Sequence, residues 1–440
     1  MVNNPCLALS LLLLLSFAAY GAAFTSIQTC RYNQNRWYAT STPLLSSSEP
    51  YDVVTKRSTL TFETTFATNR STQKTNKKKL MSLTRLKKFL SRKSTKSTPT
   101  SYKIAYDYDE LVIGNASPEN TTTAVMLVHP IGVGIGKWYY DRLLESLVDA
   151  DVHQGRRIVF LSPDLLGSFT ASSPIQADSG QELKKFPLLN ITDWAEQLEN
   201  LMSKYEKKSC EEGYEIGKWS IVANGGCAPI ALKVAQSAVD KSAPFEKDLT
   251  NVIISSPPRL PFFLEGTDPN RVQRSYRTLS GIVGKLFWAY SLRKNGQFIQ
   301  NFSERNLVGD PASLGDHWTP NCVRAAKHLG GKSKYSTFAF LAGALQDGCR
   351  ESLESLKGTD VKIDFIRGTA RKQRRRPKSY FWRRKPSDKL LETEVEQETV
   401  EEYIARNGNR GGTASIGGRI SLAWEDSKGY ARELINLLQY

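Results

Sequence analysis

From Ser101 onward, short apolar runs of strand length alternate with stretches of helical period. Residues 124–128, Ala-Val-Met-Leu-Val, are apolar throughout, which suits a strand buried on both faces of a parallel sheet. Residues 157–161, 219–222, 251–254 and 362–366 repeat the signature. Between them, Trp194, Leu198, Leu201 and Tyr205 fall on one helical stripe, with Thr192 as the expected cap. Tyr430, Leu434, Leu437 and Leu438 form the apolar face of a last helix, capped by Asp426 or Ser427. The stretch 257–345 breaks the strand rhythm and reads as several helices, with Tyr276, Leu286, Phe287, Trp288, Tyr290, Phe298 and Phe302 expected to pack its core. Alternation of this kind predicts an α/β class: a mostly parallel sheet with helices on both faces, core segments 101–256 and 346–440, and a helical lid inserted at 257–345.

The first hundred residues follow a different pattern. A short apolar run ends at Tyr20 and is followed by Gly21, Ala22 and Ala23, which reads as a signal peptide over 1–23. Residues 24–100 are rich in Ser, Thr, Lys and Arg, and their only acids are Glu49, Asp52 and Glu63, so they read as a disordered basic transit peptide. The junction Ala23-Phe24 resembles the bipartite plastid leaders of diatoms and related algae, which implies plastid import. The other reading is secretion into the ER lumen, with which the glycosylation motifs at Asn115 and Asn190 agree. The net charge of +16 is largely explained by this leader and says little about partners of the rest.

Six cysteines at wide, irregular spacing contain no C-x-x-C pair, so neither a disulfide framework nor a zinc site is expected, and no cofactor pattern occurs. The histidines number four: His129, His153, His317 and His328. None follows His328.

Four fragments in order resemble the loops of α/β-hydrolases. His129-Pro130-Ile131-Gly132-Val133-Gly134 after a buried strand resembles the H-G-x-G loop, whose backbone N–H groups line an oxyanion hole. Pro163-Asp164-Leu165-Leu166-Gly167 resembles the P-D-x-x-G turn. Residues 219–232 have the strand–turn–helix outline of the nucleophile elbow, and residues 414–425 resemble the loop that carries the family's histidine. The resemblance spans about 124 to the C-terminus and is similar to plastid and cyanobacterial members with a glycine-glycine elbow.

The resemblance implies a catalytic triad whose three places are vacant here. Gly225 stands at the nucleophile position and has no side chain to form an acyl-enzyme; glycine there is expected to hold the strained elbow conformation. Arg419 stands where the histidine falls and cannot act as a base, and the acid position near Gly368 to Arg371 has no carboxylate. The alternative is a shifted elbow with Cys227 as nucleophile, or a water positioned by His129, against which stand an inert buried thiol and a histidine bonded to its own loop. The expected function is a pseudo-hydrolase that binds a small molecule or protein partner in a cleft lined by His129, Ile131, Gly132, Asn224, Gly226 and Arg419. A basic run over 371–385, including Arg371, Arg374, Arg375, Arg376, Arg383 and Arg384, is interleaved with Tyr380, Phe381 and Trp382. It reads as a solvated loop or as a contact for an anionic membrane or ligand. Nucleic acid is not an expected partner.

Overall fold

The computed structural model describes residues 56–68, 100–114, 122–149, 156–172, 176–177, 187–258, 260–289, 296–328, 332–346, 348–370, 399–408 and 411–439. The signal segment, most of the leader, Asn115, His153, Arg371 and the basic run with Arg374, Arg375, Arg376, Arg383 and Arg384 lie outside the described residues. The strands are β1 (Lys56–Thr68), β2 (Thr100–Ile113), β3 (Thr122–Val128), β4 (Ile158–Pro163), β5 (Ile216–Asn224), β6 (Leu249–Ser255), β7 (Lys362–Gly368) and β8 (Thr413–Ile416). They lie side by side in the order β1-β2-β4-β3-β5-β6-β7-β8, and the two-residue strand Gln176–Ala177 pairs with β2. β2 runs antiparallel to β1 and β4; every later pair is parallel.

The helices are α1 (Asp141–Val148), α2 (Ile191–Glu211), α3 (Ala228–Val239), α4 (Leu260–Leu264), α5 (Pro269–Leu279), α6 (Ile282–Phe287), α7 (Gly296–Asn306), α8 (Trp318–Lys327), α9 (Lys334–Ala342), α10 (Arg350–Leu356), α11 (Val400–Arg406), α12 (Leu422–Glu425) and α13 (Ser427–Gln439). The chain steps outward from β3 to β4 and then back past β3 to β5. With right-handed crossovers, that reversal puts α1 on one face and α2 and α3 on the other. Packing agrees: α13 lies on α1, while α2 and α10 lie on α3. Where the direction reverses, the connections leaving the carboxyl ends of β3 and β5 turn to opposite faces of the sheet, the crevice position at which such sheets place their sites.

Burial explains why the central strands form. Ala124 to Val128 in β3 and Ile221, Val222 and Ala223 in β5 are fully buried, covered on both faces. Trp194, Leu198, Leu201 and Tyr205 of α2 are buried as the stripe requires. The cap of α2 is Asn190 rather than Thr192. Its side chain accepts from the Asp193 N–H at 3.0 Å, and the Asp193 carboxylate accepts from the Asn190 N–H at 2.8 Å, a capping box.

One correction concerns the leader. Residues 56–68, read as part of a disordered segment, form β1 and pair with β2 along its whole length. The Thr59 hydroxyl donates to Asp109 at 2.6 Å, tying β1 to a buried carboxylate that also pairs with Lys137. Thr-rich alternation is good strand composition, and the abundance of Ser and Thr over 24–100 hid it.

Candidate functional site

The loop after β3, the elbow after β5, the exit of β6 and the loop after β8 meet at the crevice. Asn224 ends β5 in an extended conformation, Gly225–Cys227 make one tight turn, and α3 follows with Pro229 in its first turn. Gly225 is not in the left-handed region, and among the described residues the non-glycine positions with positive φ are Lys241 and Ser256. The expectation that glycine holds a strained elbow is therefore corrected. A Cβ built on Gly225 would overlap the carbonyl oxygen of Ser256 and lie 2.8 Å from its carbon. Glycine is needed because the exit of β6 presses against the turn, not because the turn is strained.

The strain sits one strand over. Ser256 has φ 53 and is held there from both sides: its N–H donates to Ile366 O at 2.9 Å, and its hydroxyl lies 3.2 and 3.1 Å from the carbonyls of Arg419 and Ile420. Its hydroxyl thus faces backbone acceptors and no base.

His129 is fully buried, with both ring nitrogens engaged. Nε2 accepts from the Leu165 N–H at 3.0 Å, so the proton is on Nδ1, which donates to Pro130 O at 3.0 Å. Burial holds its pKa below the usual histidine value, with Asp164 and the Pro130 carbonyl pulling partly back. The ring is a neutral brace between the β3 loop and the Pro163–Asp164 turn. That turn is locked in turn by Asp164, which accepts from the Lys137 N–H at 2.7 Å and the Thr170 N–H at 3.2 Å.

This burial has a pH signature. Below the unfolded value of about 6.5, the unfolded chain takes up a proton that the folded one refuses, so stability falls as pH drops through that point and is unaffected above it. His328, also lowered by burial, acts in the same direction. Replacing His129 with glutamine keeps an acceptor for Leu165 and should make stability less steep between about pH 6.5 and 5, by up to ~1.4 kcal/mol per pH unit. Urea midpoints across that range test this, and an unchanged slope would place the proton uptake elsewhere.

The remaining expected cleft residues are also engaged within the protein. Asn224 Nδ2 donates to Ile420 O at 3.0 Å. Gly132 O accepts from the Thr337 hydroxyl of α9 at 2.9 Å, and a Cβ on Gly226 would meet Phe340 at 3.7 Å. Ile131 is buried, and its backbone bonds to the Cys227 thiol, which burial nonetheless pushes up to about 12. Arg419 points away, donating to Arg305 O at 2.8 Å near the end of α7, where carbonyls lack helical partners. At the vacant acid position, Thr369 donates from its hydroxyl to Ile416 O at 3.1 Å, and Ala370 from its N–H to Gly418 O at 2.8 Å. His317 stands exposed at the N-cap position of α8 without a side-chain capping bond, and His129, the histidine of the loop beside the elbow, spends both ring nitrogens on Pro130 and Leu165 rather than on Gly225 or Cys227.

The lid helices α4 to α9 close on these loops. Gly134, at φ 67, fits against α8 so tightly that a Cβ would overlap the Cys322 carbonyl oxygen. Above it, Trp138 meets Trp318 and Trp424 edge-on, each at 5.4 Å, and those two meet at 5.2 Å. Each indole N–H has an acceptor: Gly134 O at 3.1 Å, Ser303 Oγ at 2.8 Å and Leu314 O at 3.3 Å. The Arg142 guanidinium lies 4.1 Å over the Trp424 ring and donates to Ser313 O at 2.7 Å. Glu425 completes the joint: one oxygen accepts from the N–H groups of Gly309 and Asp310 at 2.7 and 2.9 Å, the other from that of Arg419 at 2.9 Å. Trp138, Arg142, Trp424 and Glu425 were not expected from the sequence, because their partners are distant in the chain. A tryptophan two residues beyond the Gly134–Gly136 glycines was the available signal. Chemically, the arrangement binds lid to core, and among the described residues no hydrogen bond pairs Cys227 or Ser256 with a histidine.

No protein-family model matches the chain, and no curated protein matches it. Solved structures similar to it include a peroxisomal α/β-hydrolase of Saccharomyces cerevisiae, at 12% identity and a TM-score of 0.49, over 88% of this chain and 87% of that one. The 2-hydroxy-6-oxo-6-phenylhexa-2,4-dienoate hydrolase of a Rhodococcus strain matches at 14% identity and a TM-score of 0.45, over 76% and 95%. An enol-lactonase of Burkholderia xenovorans matches at 10% identity and a TM-score of 0.42, over 76% and 97%. The strand order, the reversal at β3, the strand–turn–helix after β5 and the helical insertion before β7 are features of the chain itself, and together they are the α/β-hydrolase fold.

Proposed function

We propose that this chain is a non-catalytic α/β-hydrolase-fold protein of the plastid, in which the former active-site loops have become a structural joint. Its binding is done by outer surfaces toward a protein or membrane partner rather than by a cleft. The observation that carries this reading is Gly225: the side-chain direction at the elbow apex runs into the Ser256 carbonyl, where a nucleophile needs open space and a base. Supporting it, the lid is fastened to the His129 loop through Gly132 and Gly134, and a tryptophan cluster joins the lid to the chain on either side of the crevice.

The rival is a thiol enzyme using Cys227. Against it stand complete burial, a pKa raised to about 12, and the absence of a histidine after His328. Iodoacetamide at pH 8 should label the exposed Cys210 quickly in the native protein and Cys227 only after unfolding. Fluorophosphonate probes should leave the chain unlabelled, and ester turnover should not exceed that of the heat-unfolded chain. Native labelling of Cys227 that removes a measured turnover would overturn the proposal.

A further inference from the structure

The outer face of the lid carries an apolar group that the fold does not cover. On α6, Ile282 is 76% exposed, Val283 49% and Leu286 64%, although burial of such side chains is what drives a helix to pack. Gly284 is buried, and a Cβ there would overlap the Leu279 carbonyl oxygen at the end of α5, so α6 packs closely on its glycine side while these three side chains face out. Trp288, just beyond, is buried and meets Phe338 at 5.9 Å.

The adjoining α5 is anchored the opposite way. Val272 and Tyr276 face inward, with the Tyr276 hydroxyl donating to Pro187 O at 3.0 Å. Arg271, Arg274 and Arg277 are exposed on its outside, and the exposed Lys285 sits between the aliphatic positions of α6. Between Asp268 and Glu304 the sequence holds no acid. The helix packed on α5, α9, contributes the exposed Leu341 and no carboxylate. The nearest preceding acids are Glu265 and Asp268, and Asp268 caps the first turn of α5 by accepting from the Asn270 N–H at 3.0 Å.

We propose that this α5–α6 face docks on an anionic lipid membrane, with Ile282, Val283 and Leu286 entering the acyl boundary and the arginines and Lys285 meeting phosphate head groups. Exposed aliphatic side chains on one helix, exposed arginines on the helix that adjoins it, and no acid in the sequence between are what an interfacial element needs. Self-association would set the same cationic face against its own copy, which charge opposes. The surface differs from the basic run at 371–385, and the inference is independent of whether the protein catalyses a reaction.

The test is flotation of the full chain with vesicles of equal parts phosphatidylglycerol and phosphatidylcholine, titrated in lipid. The double variant Ile282→Glu/Leu286→Glu and the triple variant Arg271→Gln/Arg274→Gln/Arg277→Gln should each lower the partition coefficient roughly tenfold. Their melting temperatures should be unchanged, because every altered side chain is exposed. The triple variant should also lose part of the salt dependence of binding. Partition equal to that of the unaltered chain in both variants would overturn the proposal, whatever other segment binds lipid. So would a concentration-dependent dimer in sedimentation that the double variant abolishes, since a second copy would then be the occupant.

Discussion

Gly225→Ser, the substitution that returns a hydroxyl to the elbow, should destabilise the protein by about 3 kcal/mol and create no esterase. The first carbon of any side chain at this position falls on the Ser256 carbonyl oxygen, so the obstacle is backbone and cannot rotate away. Ser256 has little freedom to retreat. It is already in the left-handed region, with its N–H on Ile366 and its hydroxyl against Arg419 and Ile420. Relief requires β6 and the last loop to move together, which disturbs the Asn224 bond to Ile420 as well. A hydroxyl placed there would still lack an imidazole, because His129 has both nitrogens engaged. Gly225→Ala should cost nearly as much, since the clash belongs to Cβ. Urea denaturation of the two variants measures this, with fluorophosphonate labelling as the activity readout. A serine variant of unaltered stability that takes up the probe would show the elbow to be open and the enzyme merely switched off.

The same contact explains how far the sequence could be read. Strands β3 to β7 were legible because burial on both faces leaves a local mark, a run of apolar residues. β8 leaves no such mark, since four residues, Thr413–Ile416, are too few to show a period. β1 was lost in a leader of similar composition. The vacancies at Gly225 and Arg419 were visible as residue types, but their causes were not. Gly225 answers to Ser256 on the next strand, and Arg419 to the end of a lid helix, so each depends on a neighbour brought close only by folding. In the lid, Tyr276 and Trp288 pack inside as expected, whereas Leu286 and Phe302 are exposed; Tyr290 and the Phe287 side chain lie outside the described residues. Apolarity alone does not say which face of a short helix points inward. A buried glycine such as Gly284 does, once its neighbour is known.

Trp138→Ala should be the most damaging truncation in the joint, costing about 3–5 kcal/mol. The indole is buried where the loop after β3, helix α8 and helix α12 meet, and its removal leaves Trp318 and Trp424 facing a void. The loss spreads because those rings support other bonds. Trp424 carries the Arg142 guanidinium, which holds the turn at Ser313, and Glu425 beside it holds Gly309 and Asp310. Truncation should therefore loosen the lid before the sheet. Amide exchange is expected to quicken first in α7 and α8, while β3 and β5 stay protected to the global limit. Trp138→Phe retains most of the ring but leaves Gly134 O without its donor, and should cost about 1–2 kcal/mol. The ordering also separates the two readings of these loops. A hydrolase lid is built to move, so a chain whose α8 exchanges as slowly as its central strands, and whose melting is one transition until Trp138 is cut, uses the lid as part of its core. Fast exchange of α8 in the unaltered protein, with the alanine variant melting within about 1 kcal/mol of it, would mean that the lid opens and that the tryptophans are a latch.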